Sequence, residues 1–451
     1  MKQTIEQSIF YHIYPLGMTG CQSNNDFSCA AGSSFELLQE QLDTIKDLGS
    51  NALYIGPLFE STSHGYDTVD YYHVDRRLGN NQKFKTFCQV AKSKGFKIVL
   101  DAVFNHTGRD FFAFKDIQQN GWNSRYRDWY LNLHFDRKSP YGDNFDYDGW
   151  AGCKNLVKLN VDNCEVRDHL FGAVKFWIEE FDIDGLRLDA ADVLTPSFMD
   201  ALRNFCNSIN PDFWLMGEVV HGDYNNWARP SRLDSVTNYE IYKGLWSSFN
   251  SQNFFEIAYS LNRQFGPSGI YRYAPLYNFA DNHDVDRVAS ILTNKAWLFP
   301  LYGLLFTIPG IPSIYYGSEV AMTGKRNQNG DKELRKPWDA RNKTFEEMGE
   351  LAKNLRQSIQ KFAAIRNSSD PLKKGTYTQL AVTNKQFAFM REFYGQKVVV
   401  AVNLEEKPST INIQNLEPAL WHDQLNGGDY NSNGILSLEI PSCWLRILRK
   451  V

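Results

Sequence analysis

The sequence predicts a (β/α)8 barrel with a small inserted subdomain after its third strand and a C-terminal antiparallel β-sandwich. Three observations carry that prediction. Short apolar runs alternate with helical patterns over most of the chain, as in a parallel sheet covered on both faces by helices. One connection, between Asn105 and a helical pattern near residue 164, runs to roughly sixty residues, too long for an ordinary loop in a compact domain. Beyond about residue 370 the helices give way to short apolar or alternating runs separated by turn residues.

Taken in order, residues 9–16 form a β-rich run ended by Gly17, and residues 35–48 show helical periodicity that Gly49 stops as a C-cap. A strand at 51–57 is followed by a loop holding His64-Gly65-Tyr66-Asp67. A helix at 84–94, stopped by Gly95, leads into a strand at 97–105. Further strands near 185–191, 213–219, 235–239, 276–283 and 311–316 alternate with helical patterns near 164–182, 196–208, 286–306 and 346–366. Eight such units favour a closed barrel over an open doubly wound sheet. The barrel is expected over 1–106 and 161–370, the insert over 107–160 and the sandwich over 371–451. The insert is rich in Trp, Tyr, Asp and Gly and poor in helical cues, whereas the sandwich has apolar runs at 398–402 and 435–440 with turns at 426–428 and 431–434.

Of the 451 residues, 22 % are charged and 43 % hydrophobic, which predicts a globular chain. Basic and acidic residues number 48 and 52, for a net charge of −4, so there is neither a basic face for nucleic acid nor a polybasic membrane anchor. Residues 1–7 lack the basic start and apolar core of a signal peptide. No run approaches the ~20 apolar residues of a transmembrane helix. The seven cysteines (21, 29, 88, 153, 164, 206 and 443) fit neither a zinc site nor a disulfide framework. They predict reduced thiols and a cytoplasmic protein, with a Cys21–Cys29 bridge left open. Aromatic residues make up 14 %, with 23 Tyr and 11 Trp, side chains that stack on sugar rings as well as pack in cores.

The chemistry gathers where strands end, which is where a (β/α)8 barrel builds its active site. In Gly185-Leu186-Arg187-Leu188-Asp189-Ala190-Ala191, alternation sends Arg187 and Asp189 to the same side of a short buried strand. A guanidinium there is expected to lower the carboxyl pKa and favour the anion, as a carboxylate nucleophile requires. Asp101, Asn105 and His106 end strand three, Glu218 ends strand five, and Asp281, Asn282, His283 and Asp284 end strand seven. Each has a dull explanation as a helix cap, a core histidine or a structural ion pair. Four such clusters on one barrel describe a pocket of at least three carboxylates, an arginine and two histidines. Two carboxyl groups flanking a glycosidic bond suffice for retaining hydrolysis. Phosphoryl transfer would need metals or a Gly-rich phosphate loop, and no such loop is present.

On those residues the chain resembles the α-amylase family, glycoside hydrolase family 13, over nearly its full length. The matching stretches are Asp101-Ala102-Val103-Phe104-Asn105-His106, Gly185-Leu186-Arg187-Leu188-Asp189, Gly217-Glu218-Val219 and Phe279-Ala280-Asp281-Asn282-His283-Asp284, in the family's order. Gly65-Tyr66-Asp67 with Asp70-Tyr71-Tyr72, Leu156-Val157-Lys158-Leu159-Asn160 and residues 310–317 support them. The resemblance implies that Asp189 is the nucleophile and Glu218 the general acid/base. It implies that Asp284 binds sugar hydroxyls and stabilises the transition state, that Arg187 orients Asp189, that His106 and His283 bond the sugar, and that Tyr66 stacks beneath it.

Within the family the chain is more similar to the neopullulanase and cyclomaltodextrinase group, through Lys158-Leu159-Asn160, Gly217-Glu218-Val219-Val220-His221 and Leu233-Asp234-Ser235-Val236-Thr237-Asn238-Tyr239. That likeness adds His221, Asp331 and Arg335 as substrate-binding candidates, the last two against the alternative of a surface salt bridge. The group's usual N-terminal β-domain is not matched, since the barrel pattern starts almost at once. Asp192-Val193 stand where typical α-amylases carry Lys-His, leaving the +1 and +2 contacts unassigned. The chemistry requires no cofactor. Calcium is an open alternative at Asn105, with Asp143, Asp146 and Asp148 as further oxygens, against Asn105 simply holding the insert by hydrogen bonds. The expected activity is α-1,4 hydrolysis of maltooligosaccharides, cyclodextrins or starch. The insert aromatics Trp122, Trp129, Tyr130, Tyr141, Tyr147 and Trp150 are expected to shape the pocket for short chains or to form the insert's own core. Transglycosylation and α-1,6 hydrolysis remain alternatives, and the oligomeric state is not set by the sequence.

Overall fold

The computed structural model describes residues 5–328, 330–338 and 349–451. The expected helix start at 346–348, and residues 1–4 of the N-terminal reading, lie outside the described residues. Eight strands pair in parallel: β1 (Phe10–Ile13), β2 (Ala52–Ile55), β3 (Lys97–Ala102), β4 (Gly185–Leu188), β5 (Trp214–Gly217), β6 (Ser235–Val236), β7 (Tyr277–Phe279) and β8 (Ile311–Tyr315). Their order is β6-β5-β4-β3-β2-β1-β8-β7, and a parallel bridge from Thr237 to Tyr277 joins the two ends into a barrel.

Alternation along each strand sorts the side chains. Phe10, Tyr54, Val99, Trp214, Met216 and Tyr277 pack with one another inside the barrel. Tyr11, Leu53, Ile98, Leu100, Leu186 and Leu215 belong to the core shared with the surrounding helices. Both faces are therefore covered, and the strands read as continuous apolar runs. Gly185 stands where the next strand comes closest, since a Cβ there would lie 2.5 Å from the Trp214 carbonyl oxygen.

The principal helices are α1 (Ser34–Asp47), α2 (Asn81–Ser93), α3 (Cys164–Phe181), α4 (Pro196–Ile209), α5 (Tyr239–Asn250), α6 (Phe255–Phe265), α7 (Leu298–Thr307) and α8 (Gly349–Ser368). Asn80, Asn163, Thr195 and Asn238 cap four of them through their side chains. Gly49 and Gly95 follow α1 and α2 with φ near 85°, the left-handed stop the sequence predicted. The pattern departs from expectation after β5. There the connection is one 3-10 turn, Tyr224–Asn226, and β6 keeps only two residues because Asn238 already caps α5. Helices α5 and α6 were not anticipated; the sequence reading placed a strand at 235–239 and no element between it and 276. They pack tightly at Gly244, where a Cβ would meet Ile257 at 2.9 Å. The pattern at 286–306 divides into a single turn, Val288–Ile291, and α7.

Residues 107–160 hold a three-stranded antiparallel sheet, from His106–Gly108, Gly149–Trp150 and Cys153–Lys158, together with a helix, Phe112–Asn120, that sequence cues did not reveal. Trp129, Tyr130 and Tyr147 are buried as this segment's own core, while Trp122 and Tyr141 are exposed.

Residues 376–450 supply six antiparallel strands, β9 (Thr376–Val382), β10 (Gln386–Phe393), β11 (Gln396–Asn403), β12 (Ser409–Asp423), β13 (Asp429–Ile440) and β14 (Trp444–Lys450). They form one continuous sheet in the order β9-β10-β11-β14-β12-β13. The long β12–β13 hairpin packs back over β10 and β11, so that Val399, Ala401, Ile411, Ile413, Leu436 and Leu438 make a second core between two layers. On the opposite face Phe387, Phe389, Val398, Val400, Leu445 and Ile447 join the barrel core. Burial on both faces explains the unbroken apolar run at 398–402.

Candidate active site

Asp189 and Glu218 each stand one residue beyond a barrel strand, and their amides continue the strand pairing. Asp189 N donates to Ala102 O at 3.0 Å and Glu218 N to Leu188 O at 2.9 Å. Arg187 lies on the inner face of β4, so its guanidinium reaches across the barrel mouth rather than into the helices. It binds three carboxylates. Nη1 donates to Asp101 Oδ1 at 2.8 Å and to Asp189 Oδ1 at 2.9 Å, and Nη2 pairs with Glu218 Oε2 at 2.9 Å. Asp101 is fixed in turn by the hydroxyls of Tyr54 and Tyr66, at 2.9 and 3.0 Å. It fits closely because Gly56 has no Cβ, which would fall 2.0 Å from that of Asp101.

A second group forms around Asp284. His283 Nε2 donates to its Oδ2 at 2.8 Å and Arg335 Nη2 to its Oδ1 at 3.0 Å. Arg335 also binds Asp331 at 3.2 Å, and Arg326 joins Asp331 at 2.6 Å while donating to the Asp284 carbonyl at 3.0 Å. The His283 ring lies nearly parallel to the rings of Tyr66 and Tyr14, at 5.5 and 5.7 Å, and its Nε2 also hydrogen-bonds the Tyr66 hydroxyl. His106 Nε2 and His283 Nδ1 are buried with no hydrogen-bond partner among the described residues; His106 lines the pocket, whereas His283 lies beneath it.

The electrostatics correct one expectation. The Arg187–Asp189 pair implied a lowered carboxyl pKa, but burial raises Asp189 well above its ordinary value, and Glu218, Asp101 and Asp284 push the same way against Arg187. One guanidinium divided among three carboxylates does not outweigh desolvation and like charge. Asp284 behaves oppositely. Burial alone would raise it, yet His283, Arg335 and Arg187 hold it well below the usual carboxylate range. Burial, with His64 nearby, lowers His106 to about 4, so it is a neutral imidazole at ordinary pH.

These groups surround a pocket of about 520 Å3 whose walls include His64, Tyr66, His106, Asp189, Glu218, Asp284, Asp331 and Arg335, with Arg187 and His283 buried beneath. A larger hollow, about 820 Å3, opens at the opposite end of the barrel beside Glu6, Asp234 and Pro275, where strands begin. Chemistry rather than size singles out the smaller one. Trp150 and Leu156 from the 107–160 segment form one wall, so of the six insert aromatics only Trp150 reaches this pocket. His221 does not reach it. It lies in an adjoining hollow with Gly222, Glu240 and Lys243, because the chain turns outward after Val220. Tyr239, Tyr14, Tyr54, His64 and Arg326 were given no role from sequence. Asn238-Tyr239 was legible as a motif, whereas Arg326 gave no signal.

The residues of the calcium alternative have other partners. The Asn105 side chain meets the His106 ring at 3.1 Å while its carbonyl accepts from Leu159 N at 3.0 Å. Asp143 is paired with Arg109 at 2.7 Å and Asp146 with Lys154 at 2.8 Å. Asp148 accepts from Asn132 at 2.7 Å. Cationic side chains already occupy two of these carboxylates, whereas Ca2+ needs six to eight converging oxygens.

A family model described as the α-amylase catalytic domain matches residues 34–379. A cyclomaltodextrinase of Thermoanaerobacter pseudethanolicus is 32 % identical over 86 % of this chain and 66 % of its own length. The chain thus spans just under two thirds of that relative. Among solved structures, the cyclic α-maltosyl-(1→6)-maltose hydrolase of Arthrobacter globiformis superposes with a TM-score of 0.81 at 26 % identity, covering 99 % of both chains. A debranching enzyme of Nostoc punctiforme gives 0.80 at 29 % identity, covering 99 % of this chain and 100 % of its own.

Proposed function

We propose that this chain, which belongs to the α-amylase family of glycoside hydrolases, cleaves α-1,4-glucosidic bonds of maltooligosaccharides and cyclodextrins with retention of configuration. The observation that carries the reading is the single guanidinium joining Asp189 through Nη1 and Glu218 through Nη2. That bridge suits the separation of about 5–5.5 Å at which one carboxylate attacks the sugar directly, with no water between the pair.

In the first step an Asp189 oxygen bonds to the anomeric carbon as the glycosidic C–O bond breaks, and the Glu218 proton passes to the departing oxygen. In the second, Glu218 takes a proton from water, the water oxygen bonds to the carbon, and the Asp189 ester bond breaks. The transition state carries positive charge on the sugar, so the carboxylates bind it more tightly than the ground state. Asp284, held ionised by His283 and Arg335, adds to that field and binds hydroxyls. His106, His283 and Tyr66 support the same sugar. No step calls for a cofactor, and the seven cysteines, all free, fit a cytoplasmic protein.

Trp150 on one wall and the Arg326–Asp331–Arg335 group on another bound the pocket, which suits short or cyclic chains better than granular starch. A second reading, α-1,6 cleavage, is favoured by the names of the two structural neighbours. Proton NMR of the first products from maltotriose, a cyclodextrin, pullulan and isomaltose tests both readings. The α-anomer must appear first. Initial release of the β-anomer would overturn the retaining mechanism, and turnover of isomaltose ahead of maltotriose would select the second reading.

A further inference from the structure

The two oxygens of Glu218 are not equivalent. Oε2 accepts from the Ala190 amide at 3.1 Å and pairs with Arg187 Nη2 at 2.9 Å. An oxygen receiving two donors is a poor place for a proton, so the transferable proton belongs on Oε1. The Tyr239 hydroxyl stands 3.3 Å from Oε1 and itself lies 3.4 Å from Asn282 Nδ2. Both distances are long, as hydrogen bonds of unliganded active sites often are.

Tyr239 is firmly placed. It is the first residue of α5, immediately after the capping Asn238, whose Oδ1 accepts from Ile241 N at 3.3 Å. Its ring packs edge-on against Phe279 at 5.1 Å and Tyr242 at 6.0 Å. The half-buried ring lines the pocket wall, and its hydroxyl points at Glu218.

We infer that Tyr239 is a positioning residue for Glu218, its hydroxyl holding Oε1, the oxygen that gives and receives the proton. The inference rests on the reading of Glu218 as general acid/base. Asn282 donates to the phenol oxygen, leaving the phenol O–H for Oε1 when Glu218 is ionised. When Glu218 is protonated, the same phenol oxygen accepts from Oε1–H until the glycosidic oxygen replaces it. The proton moves only between Oε1 and the substrate or water, and Tyr239 loses none. The charged groups facing this pair are Arg187 and Asp189 from the end of β4 and Asp284 from the end of β7. Burial and the charges of Glu218 and Asp284 hold the phenol well above its ordinary pKa, so it remains a neutral donor.

Tyr239→Phe keeps the ring and removes only the hydroxyl. Its kcat/KM is measured on maltotriose, whose leaving group must be protonated, and on α-maltosyl fluoride, whose leaving group departs without a proton. A fall of about tenfold on maltotriose, with a change within about twofold on the fluoride, is expected for a residue that acts through the acid. Both substrates are run on one preparation, so any loss of folded protein divides out of the ratio. An equal loss on both substrates, or none on maltotriose, overturns the inference. Glu218→Gln is the control and should split the two substrates by about 10²–10⁴-fold. Absence of that split would overturn the general-acid reading itself, a different failure from that of Tyr239.

Discussion

Arginine is buried both at the barrel mouth and at the junction with the C-terminal sheet, and the two surroundings are opposite. At the barrel mouth one guanidinium, Arg187, is divided among Asp101, Asp189 and Glu218. At the junction with the C-terminal sheet, Arg366 and Arg391 are buried with no carboxylate in ion-pair range among the described residues. Arg366 donates to Phe306 O and Gly310 O at 2.9 and 2.6 Å, and Arg391 to Thr307 O and Gly375 O at 2.7 and 2.8 Å. Phe306 and Thr307 end α7, so the two cations meet orphan carbonyls at the negative end of a helix dipole. Burial pulls both guanidinia below their ordinary range, and Arg366 lowers Arg391 further. The mouth holds excess negative charge that folding alone does not need, whereas every donor named at the junction satisfies backbone. Surplus charge marks the functional region, and backbone satisfaction marks the structural one.

The sharpest test of that contrast is Asp189→Asn. Its kcat should fall by roughly 10⁴-fold or more, and retention of more than a few per cent of activity would remove Asp189 as nucleophile. The same substitution should raise stability. Asp189 has a folded-state pKa above its unfolded value, so its ionisation costs stability as pH rises above the unfolded pKa, and no cost remains below it. The melting temperature of Asp189→Asn should therefore exceed that of wild type at pH 7 and converge with it near pH 3.5. A destabilised variant at neutral pH would show that the mouth is not strained by its charge.

Arg187→Lys comes next. A lysine supplies one point charge and cannot serve three carboxylates from two nitrogens. Activity should drop roughly 100-fold through misplaced carboxyls, with melting little changed. Arg391→Met should do the reverse. It leaves the Thr307 and Gly375 carbonyls unpaired at about 1–3 kcal/mol each, lowering the calorimetric melting temperature while kcat of the folded enzyme stays at the wild-type value. If Arg391→Met lowered kcat as Arg187→Lys does, the division between the two regions would fail.

A smaller effect concerns His106. Its folded pKa of about 4 lies below the unfolded value, so the neutral ring contributes stability above the unfolded pKa that is lost as pH falls towards 4. His106→Asn should flatten that part of the melting-versus-pH curve. Smallest of all, EDTA should leave activity and melting unchanged, because Arg109 and Lys154 already pair with the carboxylates that calcium would use. Loss of activity restored by calcium would reverse that conclusion.

The barrel was legible because its strands are short, mostly apolar and carry polar residues at or beyond their ends that stand out. The same contrast drew attention to Asp189, Glu218 and Asp284, and the fold brings all three to one pocket. What stayed hidden depends on contacts distant in sequence. Tyr239 meets Glu218 only because α5 starts directly after β6, where the sequence reading placed a strand through 239. The raised Asp189 pKa comes first from burial and then from the like charges of Glu218, Asp101 and Asp284, none of which adjacent residues reveal. Nothing marks Arg366, between Ile365 and Asn367, as the inward residue of a helix, and nothing in the sequence shows that His221 lines the adjoining hollow rather than the pocket itself.

Helix α7 is apolar almost all round, and Gly303 at its centre leaves space filled by Leu445, whose Cδ1 would lie 2.4 Å from a Cβ at that position. Leu445 belongs to β14, the final strand. During synthesis, when N-terminal parts emerge first, the side of this apolar helix that faces Leu445 stays uncovered until β14 has been made. A nascent chain halted before residue 444 would hold all eight barrel strands and still lack the side chain that fills the notch at Gly303, making β14 the piece that completes the packing of α7.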